Sequence, residues 1–555
     1  MNKLLMMFCA SILLTSCAVI FDDGETSVNG CEIETSYIAI NLMAADPDTR
    51  ADEPQEPAKE YQDGLAEERA VKTAYFFFFQ NGQPFPVTVT DGSVTAPGAT
   101  AGANFLSASL TTSSTNASTN ISDFSNVVLL LRNYKGQYPN QIVAVLNWVP
   151  VAGKSYTMED LKAAVDVQST MDSQKYFVMS NAVYADAAGQ AVTTTPLTIN
   201  NIYQTSDLAS ANPIQIYVER AAAKVTVTAP AEKKFDISKN VNSVKAYAQL
   251  TGWELYNDYS QSYLLKQIDP KWTVGNIGFN WNDQAFYRSY WAISPEQTLT
   301  GNTFTWEYGS SFGLSTDVNN GTYVSNTYVY CGENTTSDAK KRTKVILKAK
   351  LVKENGETLE LARWYGTDYL GESDLRTAVA NTLKNSYYNK AEGESGYTSI
   401  APEDLMCVVG GGTDAPAGVD ATEVYFQLSE TGAAKTWYEY SSAGGYTEVT
   451  DLNVKLKSVP SAVVYKNGQT YYYFDIKHLG AAGKAAEYGI VRNHIYSINI
   501  NSITGFGSPV YNKTANIETP KYPEFPNEDG SFVSAQVNIL SWRMVSQGVD
   551  ITPGN

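Results

Sequence analysis

The chain has 555 residues, with 40 Lys and Arg against 58 Asp and Glu and a formal net charge of -18. This length accommodates two or more domains, and an acidic balance without a basic cluster argues against a nucleic-acid partner, because contacts to phosphates require Lys and Arg. The two histidines, His478 and His494, are too few for most metal or triad chemistry, so we expect no enzyme, metal site or cofactor. The 37 tyrosines favour an ordered β-rich protein that binds or assembles.

The start of the chain has the pattern of an export signal. Lys3 is followed by an apolar run over residues 4–14 and then by Thr15, Ser16 and Cys17. This pattern resembles the lipobox of bacterial lipoproteins, which implies cleavage before Cys17 and a lipid on that cysteine that holds it in a membrane. The alternative is a secretory signal with an incidental cysteine. No later run approaches the ~18 apolar residues of a spanning helix.

Strands dominate the rest of the chain. The aromatic run at residues 75–79 leads into Asn81-Gly82, a dipeptide typical of two-residue hairpin turns. A second hairpin is predicted at Asn467-Gly468, between apolar runs at residues 463–465 and 471–476. Further buried strands are predicted at residues 127–131 and 142–146.

Helical patterns are few. A capping box at residues 157–160 predicts a short helix that continues through Leu161 and Val165. Ser373 is expected to cap a second helix that carries Leu375, Val379 and Leu383. The predicted fold class is therefore all-β and sandwich-like, with a few inserted short helices at the ends of the sheets.

Two places suggest boundaries. A strand over residues 214–218 ends near Glu219, and a new alternating run starts at Ala221. Three prolines at 520, 523 and 526 predict an extended linker that cannot join a central sheet. The resulting division is a signal peptide at 1–16, a propeptide with a leading strand at 17–50, an N-terminal sandwich at 51–219, a C-terminal sandwich at 220–515, a linker at 516–530 and a final strand at 531–555.

The two ends of the chain carry short amphipathic strands that could fill the same groove. The leading strand has apolar residues at alternate positions: Ile38, Ile40 and Leu42. The final strand has the same alternation and is followed by a tryptophan: Val533, Ala535, Val537, Ile539 and Trp542. A polar, proline-broken segment with one basic residue, Arg50, follows the leading strand.

Cleavage after Arg50 would free the leading strand and expose a sheet edge beside an apolar trench, which the final strand of another copy could fill. Such a contact joins two different surfaces and need not close, so it would build a filament. The alternative is that the two strands pair within one molecule and Arg50 is an ordinary loop residue.

Four segments resemble recurrent segments of the Bacteroidales fimbrillins, the subunits of type V pili: residues 177–181, 216–225, 333–335 and 491–496. The chain is most similar to the major shaft subunit of the short (minor) fimbriae. The resemblance implies two transthyretin-like β-sandwich domains that meet at Glu219-Arg220, and export as a lipoprotein of the outer membrane. It also implies that an arginine-specific surface protease cuts between Arg50 and Ala51, and that an extended C-terminal donor strand completes a neighbouring copy. Anchor and tip subunits are the other implied partners.

Three alternatives stay open. Arg69 is a second basic residue at which the protease could cut. The chain could instead be a monomeric surface lipoprotein or tip adhesin that binds glycan or host protein through aromatic segments such as residues 306–308 and 471–473. The cysteines outside the signal and lipid positions, Cys31, Cys331 and Cys407, have no metal-ligand spacing and are expected to be small buried hydrophobes rather than disulfide partners.

Overall fold

The structure, a computed structural model, describes residues 33–44, 68, 70–87, 103–108, 119–120, 127–134, 137–166, 177–185, 191–268, 292–295, 303–304, 328–390, 393, 395–478, 483–484, 487–511, 517–518, 532–541 and 544–545. In this part of the chain strands far outnumber helices, which confirms the all-β fold class. The described sheets enclose three large hydrophobic cores.

The first core is built around a nine-stranded sheet. The strands up to residue 220 are β1 (Ile33–Ala44), β2 (Ala70–Val71), β3 (Ala74–Gln80), β4 (Gln83–Pro84), β5 (Phe105–Ala108), β6 (Thr119–Asn120), β7 (Val127–Tyr134), β8 (Gln141–Leu146), β9 (Ala164–Asp166), β10 (Met179–Asn181), β11 (Tyr184–Ala185), β12 (Ala191–Val192), β13 (Thr195–Pro196) and β14 (Ile214–Arg220). The sheet order is β4-β3-β8-β10-β14-β1-β7, with β5 and β13 on side branches. One short helix, α1 (Ser206–Ala211), and two 3-10 turns, Asp160–Lys162 and Ile199–Asn201, belong to this region.

The aromatic strand β3 is buried on both faces, since Phe76, Phe77, Phe78 and Phe79 are all fully buried. It turns into β4 through Asn81 and Gly82, which both have positive φ, and this confirms the first predicted hairpin. Covered on both sides, the sheet offers its interior strands a largely apolar environment.

The second region begins directly after β14, in a different sheet. Its strands are β15 (Ala223–Thr228), β16 (Lys234–Val241), β17 (Val244–Tyr256), β18 (Gln261–Tyr263), β19 (Thr303–Phe304), β20 (Tyr328–Cys331) and β21 (Lys344–Val352). β18 pairs with β9 of the first region, so the two regions are joined by backbone hydrogen bonds as well as by the chain itself.

A third core lies between β21 and the next long strand of the second region. Its elements are the strands β22 (Leu361–Trp364), β23 (Thr367–Tyr369), β24 (Tyr387–Asn389), β25 (Thr398–Ser399), β26 (Leu405–Val409), β27 (Glu423–Leu428), β28 (Trp437–Ser441), β29 (Gly445–Val449) and β30 (Ala462–Tyr465), the helices α2 (Gly371–Leu383), α3 (Glu430–Ala433) and α4 (Leu452–Leu456), and the 3-10 turn Pro402–Asp404. They form a five-stranded sheet, β23-β22-β30-β27-β26, and a four-stranded sheet, β25-β24-β28-β29. The span 220–515 therefore contains two cores.

The chain then returns to the second region. The 3-10 turn Lys466–Gly468 is followed by β31 (Gln469–Asp475), β32 (His494–Thr504), β33 (Ser508–Pro509), β34 (Ile517–Glu518), β35 (Phe532–Ser541) and β36 (Met544–Val545). Two five-stranded sheets, β20-β15-β32-β35-β36 and β16-β17-β21-β31-β33, face each other across the second core. This sandwich is built from strands that precede the third core in the sequence and strands that follow it.

Three local predictions are wrong in detail. The capping box at Thr157 and Asp160 forms, but it starts a single 3-10 turn, and Val165 lies in β9 because that segment pairs with β18. The strands beside Asn467 do not form a hairpin, since β30 pairs with β22 and β27 whereas β31 pairs with β21 and β33. Helix α2 begins at Gly371, which places Ser373 inside its first turn rather than at the cap.

Candidate functional site

The leading strand β1 lies inside the first sheet and not at its edge. It pairs in parallel with β14 from Ile40 to Ala44, and antiparallel with β7 from Ile33 to Ile40. A further backbone bridge joins Tyr37 and Tyr203, whose amides and carbonyls exchange hydrogen bonds of 2.7 and 2.9 Å. The first described strand is therefore held on both sides.

Two of its three predicted apolar residues are buried in the first core. Ile38 and Ile40 are fully buried, and Ser36, two positions earlier, is also buried. Leu42 is paired with Ile216 in the ladder to β14, although its side chain lies outside the described part. The period of two puts these positions on one face of β1.

The neighbours of β1 form an apolar slot. Ile216 and Val218 of β14 are buried on one side, and Leu129 and Leu131 of β7 are buried on the other. All four belong to the same core as Ile38 and Ile40. Without β1, these residues and two rows of backbone hydrogen-bonding groups would face water.

The final strand β35 pairs with its own chain. It runs antiparallel to β32 over ten positions, from His494 opposite Ser541 to Thr504 opposite Phe532. The predicted donor residues Ile539, Val537, Ala535 and Val533 stand opposite residues of β32 that are buried in the second core: Tyr496, Ile498, Ile500 and Ile503. On its other side, within the described part of the chain, β35 pairs with β36, which follows it and bonds at two positions.

Several predicted site residues lie outside the described part of the chain. They are the lipidation residue Cys17, the cleavage residues Arg50 and Ala51, the alternative Arg69, the last donor residue Trp542, the third cysteine Cys31 and the aromatic segment 306–308. The predictions made for them stay predictions.

A buried polar cluster, which the sequence did not predict, joins the first two regions at Glu68. The Glu68 carboxylate accepts hydrogen bonds from the Lys224 ammonium, at 2.7 Å, and from the Tyr330 hydroxyl. Its backbone carbonyl accepts a third from Arg220 Nε at 2.7 Å. Glu68, Lys224 and Arg220 are all buried, and burial together with the Glu68 carboxylate raises the pKa of Tyr330, which keeps its hydroxyl protonated as a donor.

Two further buried ion pairs lie at the same junction. Arg492 and Glu333, both fully buried, are 2.7 Å apart, and Lys266 lies 3.4 Å from Glu219. Burial raises the pKa of Glu219, while Lys266 and Arg492 oppose that rise. Glu219 thus pairs with Lys266, whereas Arg220 binds the Glu68 carbonyl oxygen.

The four-stranded sheet of the third core carries a cluster of tyrosines on its outer face. Tyr388 stands opposite Tyr438, and Tyr440 opposite Tyr446, while Trp437 on the other face is buried in the third core. Tyr397 stacks on Tyr446 with ring centroids 3.7 Å apart. Tyr440 and Tyr446 are 43% and 39% exposed, so the cluster presents aromatic rings to solvent.

The remaining candidates belong to the scaffold. Tyr471 and Tyr472 are buried in the sheet, and the two histidine rings pack against each other with centroids 5.3 Å apart. Cys331 and Cys407 are buried free cysteines, as predicted. No group of three potential metal ligands and no helix long and apolar enough to span a membrane occurs among the residues that the structure describes.

Known proteins give one family match. Residues 463–548, which include both β32 and β35, match the family described as "Major fimbrial subunit protein type IV, Fimbrillin, C-terminal". No curated protein matches the chain.

Solved structures share little sequence with the chain but align along most of it. A fimbrilin (fimA) from Porphyromonas gingivalis W83 is 10% identical and has a TM-score of 0.33, with 90% of this chain and 96% of that chain covered. The tip fimbrial protein Mfa3 from Porphyromonas gingivalis, with a C-terminal truncation, is 11% identical with a TM-score of 0.25, covering 91% of this chain and 99% of that chain. The family match makes residues 463–548, with their C-terminal strands, similar to the C-terminal part of the fimbrillins.

Proposed function

We propose that this fimbrial subunit forms the shaft of a short surface fimbria, and that it is exported as a lipoprotein through Cys17, cut after Arg50 and polymerised by strand exchange. The observation that carries the proposal is the place of β1: the first described strand fills an interior position of the first sheet with Ile38 and Ile40 buried. Because β1 precedes all the other described strands, one cut in the connection after it would let it leave without unthreading them.

Proteolysis is needed because a tethered strand cannot be displaced efficiently. While β1 remains joined to β3 through the chain, its effective concentration at the slot is of the order of millimolar, so a strand from another molecule loses the competition. One cut in the connection makes rebinding of β1 bimolecular. The slot between β14 and β7 then becomes available to a strand that is supplied by a neighbouring copy.

A strand in the slot of β1 would form more backbone pairs with the body than β35 forms in its own molecule. In its own molecule β35 is hydrogen-bonded to the body along one edge, over ten positions with β32. In the slot β1 has partners on both sides, eight positions with β7 and five with β14. Each apolar side chain that a donor strand buries there contributes about 1.5–3 kcal/mol, which favours exchange once β1 has gone.

The geometry of donor and acceptor favours a filament. The slot belongs to the first sheet and the donor strand to the last described segment, so the two surfaces differ and the contact is heterologous. A heterologous contact that does not close into a ring adds subunits without limit. Other copies of the chain are then the main partners, with anchor and tip subunits at the ends.

The test uses cleavage and assembly of the purified precursor. An arginine-specific protease should generate a chain that starts at Ala51 and forms filaments visible by negative-stain microscopy and as ladders on non-boiled gels. The Arg50→Ala precursor should stay monomeric, whereas Arg69→Ala should assemble like the wild type. Abundant filaments from protease-treated Arg50→Ala precursor would contradict the assigned cleavage site, and their absence from a cleaved wild-type chain would contradict strand exchange.

The tyrosine cluster of the third core favours a second function, adhesion to glycan. Its outer face carries several tyrosine rings together with Ser399 and the exposed Glu448, and Lys390 lies beside Tyr397. Tyrosine supplies a rigid ring and a hydroxyl at low conformational cost, which suits stacking and hydrogen bonding with sugars. The contacts among the rings keep them preorganised.

A glycan array tests this second function directly. The double variant Tyr440→Ala, Tyr446→Ala should lose binding that the wild-type chain shows, while Tyr365→Ala should keep it, because Tyr365 is 62% exposed but lies outside the cluster. Equal binding by all three proteins would exclude the cluster as a glycan site.

A further inference from the structure

Glu68 is fixed by side chains from two sheets. Arg220, at the end of β14 in the first sheet, binds the Glu68 carbonyl oxygen. Lys224 of β15 and Tyr330 of β20, which stand opposite each other in the second region, bind its carboxylate. We refer to these four residues as the Glu68 clamp.

Groups around the clamp leave it little freedom. The Tyr330 ring packs edge-on against Phe177, with centroids 4.8 Å apart. The Lys224 ammonium lies 4.2 Å from the ring centre of Tyr328, and Arg220 Nη1 donates to the side-chain oxygen of Asn493 at 3.2 Å. Glu68 itself is 1% exposed. The clamp is therefore a buried ion pair within a packed aromatic and polar environment.

The chain is also held immediately after the clamp. Ala70 and Val71 form β2, which pairs with Asn120 and Thr119 of β6, and Val71 is fully buried in the first core. Arg69 lies outside the described residues, but the residues on both sides of it are fixed by hydrogen bonds. A protease binds its substrate as an extended strand on both sides of the bond that it cuts, so both neighbours would have to leave their partners first.

We propose that the Glu68 clamp determines where the maturation protease cuts, by protecting the bond after Arg69 and leaving the bond after Arg50 as the one that is used. This inference rests on the proposed maturation and adds its specificity-determining residues. The clamp also gives the mature chain a fixed point near its new N-terminus: when β1 leaves, Glu68 still attaches the start of the body to β15 and β20.

The size of the protection follows from the chemistry. Exposure of the bond after Arg69 requires Glu68 to leave Lys224, which would remain buried without this carboxylate. Separation of a buried ion pair is strongly unfavourable, and cleavage through such an opening slows in proportion to the population of the open state. We expect cleavage after Arg69 to be about 100-fold or more slower in the wild type than in a clamp variant.

Timed digestion of the purified precursor with an arginine-specific protease tests the clamp. N-terminal sequencing should find Ala51 early in the wild type and Ala70 only at late times. Glu68→Gln and Lys224→Met should each produce the Ala70 terminus early, and Tyr330→Phe, which removes one hydrogen bond, should fall between. The control Lys245→Met removes the exposed ion pair with Asp236 and should digest like the wild type.

Two results would overturn the proposal: rapid appearance of the Ala70 terminus in the wild type, or its continued absence in Glu68→Gln. Circular dichroism and gel filtration before digestion show whether the variants are folded, and Tyr330→Phe keeps the test valid if the charge variants are not. The outcome is independent of polymerisation. A protected Arg69 bond in a chain that never forms filaments would support the clamp and contradict the proposed strand exchange.

Discussion

Buried charged side chains occur mainly in compensated pairs. Lys348 and Glu254 are both almost fully buried and lie 2.9 Å apart, which repeats the pattern of Arg492 with Glu333. Burial lowers the pKa of Lys348, and the Glu254 carboxylate opposes that effect. Such pairs add little net stability, but loss of one partner leaves a costly charge behind, which makes them specific markers of the correct fold.

Asp258 is a carboxylate whose environment disfavours its charge. Burial, together with repulsion from Glu254, raises its pKa to about 6. An acid whose pKa is raised in the folded state stabilises the fold below its ordinary pKa, and this contribution is lost as the pH rises toward 6. We therefore expect Asp258→Asn to increase the free energy of unfolding by about 1–3 kcal/mol at pH 8 and to change it little at pH 4.

Urea denaturation at the two pH values measures this effect. The control is Asp236→Asn, because hydrogen bonds from Lys245 and the Ser238 amide lower the pKa of Asp236. Asp236→Asn should slightly lower the free energy of unfolding at pH 8 and leave it unchanged at a pH well below the pKa of Asp236. Its effect at pH 8 is therefore opposite in sign to that of Asp258→Asn. Equal effects of Asp258→Asn at pH 4 and pH 8 would show that Asp258 is not held at a raised pKa.

At the residue scale, the sequence predicted which apolar residues are buried but not which polar side chains bind each other. The burial of Ile38, Ile40, Cys331 and Cys407 follows from their apolar character and was predictable. The partners of Glu68 are separated from it by more than 150 residues, and no local pattern links them. A lone glutamate beside an arginine gives no sign in the sequence that it will be buried.

The elements at the two ends differ in how firmly the body holds them. β1 has neighbours on both sides, whereas β35 has the body on one side and its own continuation, β36, on the other. The one-sided strand is the easier of the two to detach, because a single ladder must open. This difference supports β35 as the donor and the β1 position as the acceptor slot in the proposed exchange.

A charge on the apolar face of β35 should stop assembly. Val537 stands opposite the buried Ile498, so Val537→Asp would place a carboxylate on the face that a donor strand must bury, at a cost of several kcal/mol. We expect at least a tenfold loss of filament yield in a sedimentation assay after cleavage. Asn538→Asp, one position along on the opposite face, should assemble close to the wild-type level.

Mixtures of Val537→Asp and wild-type subunits distinguish a variant that cannot donate its strand from one that is misfolded. A Val537→Asp subunit keeps its own slot, so it should still accept a wild-type donor strand and then end the filament. Filaments from mixtures should therefore shorten as the variant fraction rises. Unchanged length would mean that the variant does not enter the filament at all, and wild-type yield from the variant alone would contradict the donor face.

At the element scale the period-two pattern identified strands but not their neighbours. The predicted hairpin at Asn467-Gly468 failed even though both residues have positive φ, because the turn passes the chain from the third core to the second. The third core was not predicted, since its strands have the same alternation as those around them. Pairing between distant strands depends on the whole fold, which a local pattern cannot report.

In the proposed exchange, loss of β1 would open one slot and β35 would be the strand that fills it. A subunit cut as proposed would need a partner at the slot, because removal of β1 would leave Ile216, Val218, Leu129 and Leu131 without their cover. Every free slot is therefore a site of association, and its occupant is whichever strand fits best at the highest concentration. A peptide with the sequence of β1 should therefore compete for the slot and inhibit assembly.

A peptide with the sequence of residues 33–44 should block polymerisation of subunits that have been cut and separated from their own leading strand. It can restore both ladders of β1, with β14 and with β7, and it offers no second surface to which another subunit could bind. Filament growth followed by light scattering should fall as the peptide concentration rises. The matched peptide with Ile38→Asp and Ile40→Asp should have no effect, because both positions are fully buried in the slot. Equal inhibition by the two peptides, or growth that neither peptide slows, would mean that the slot of β1 is not where subunits join.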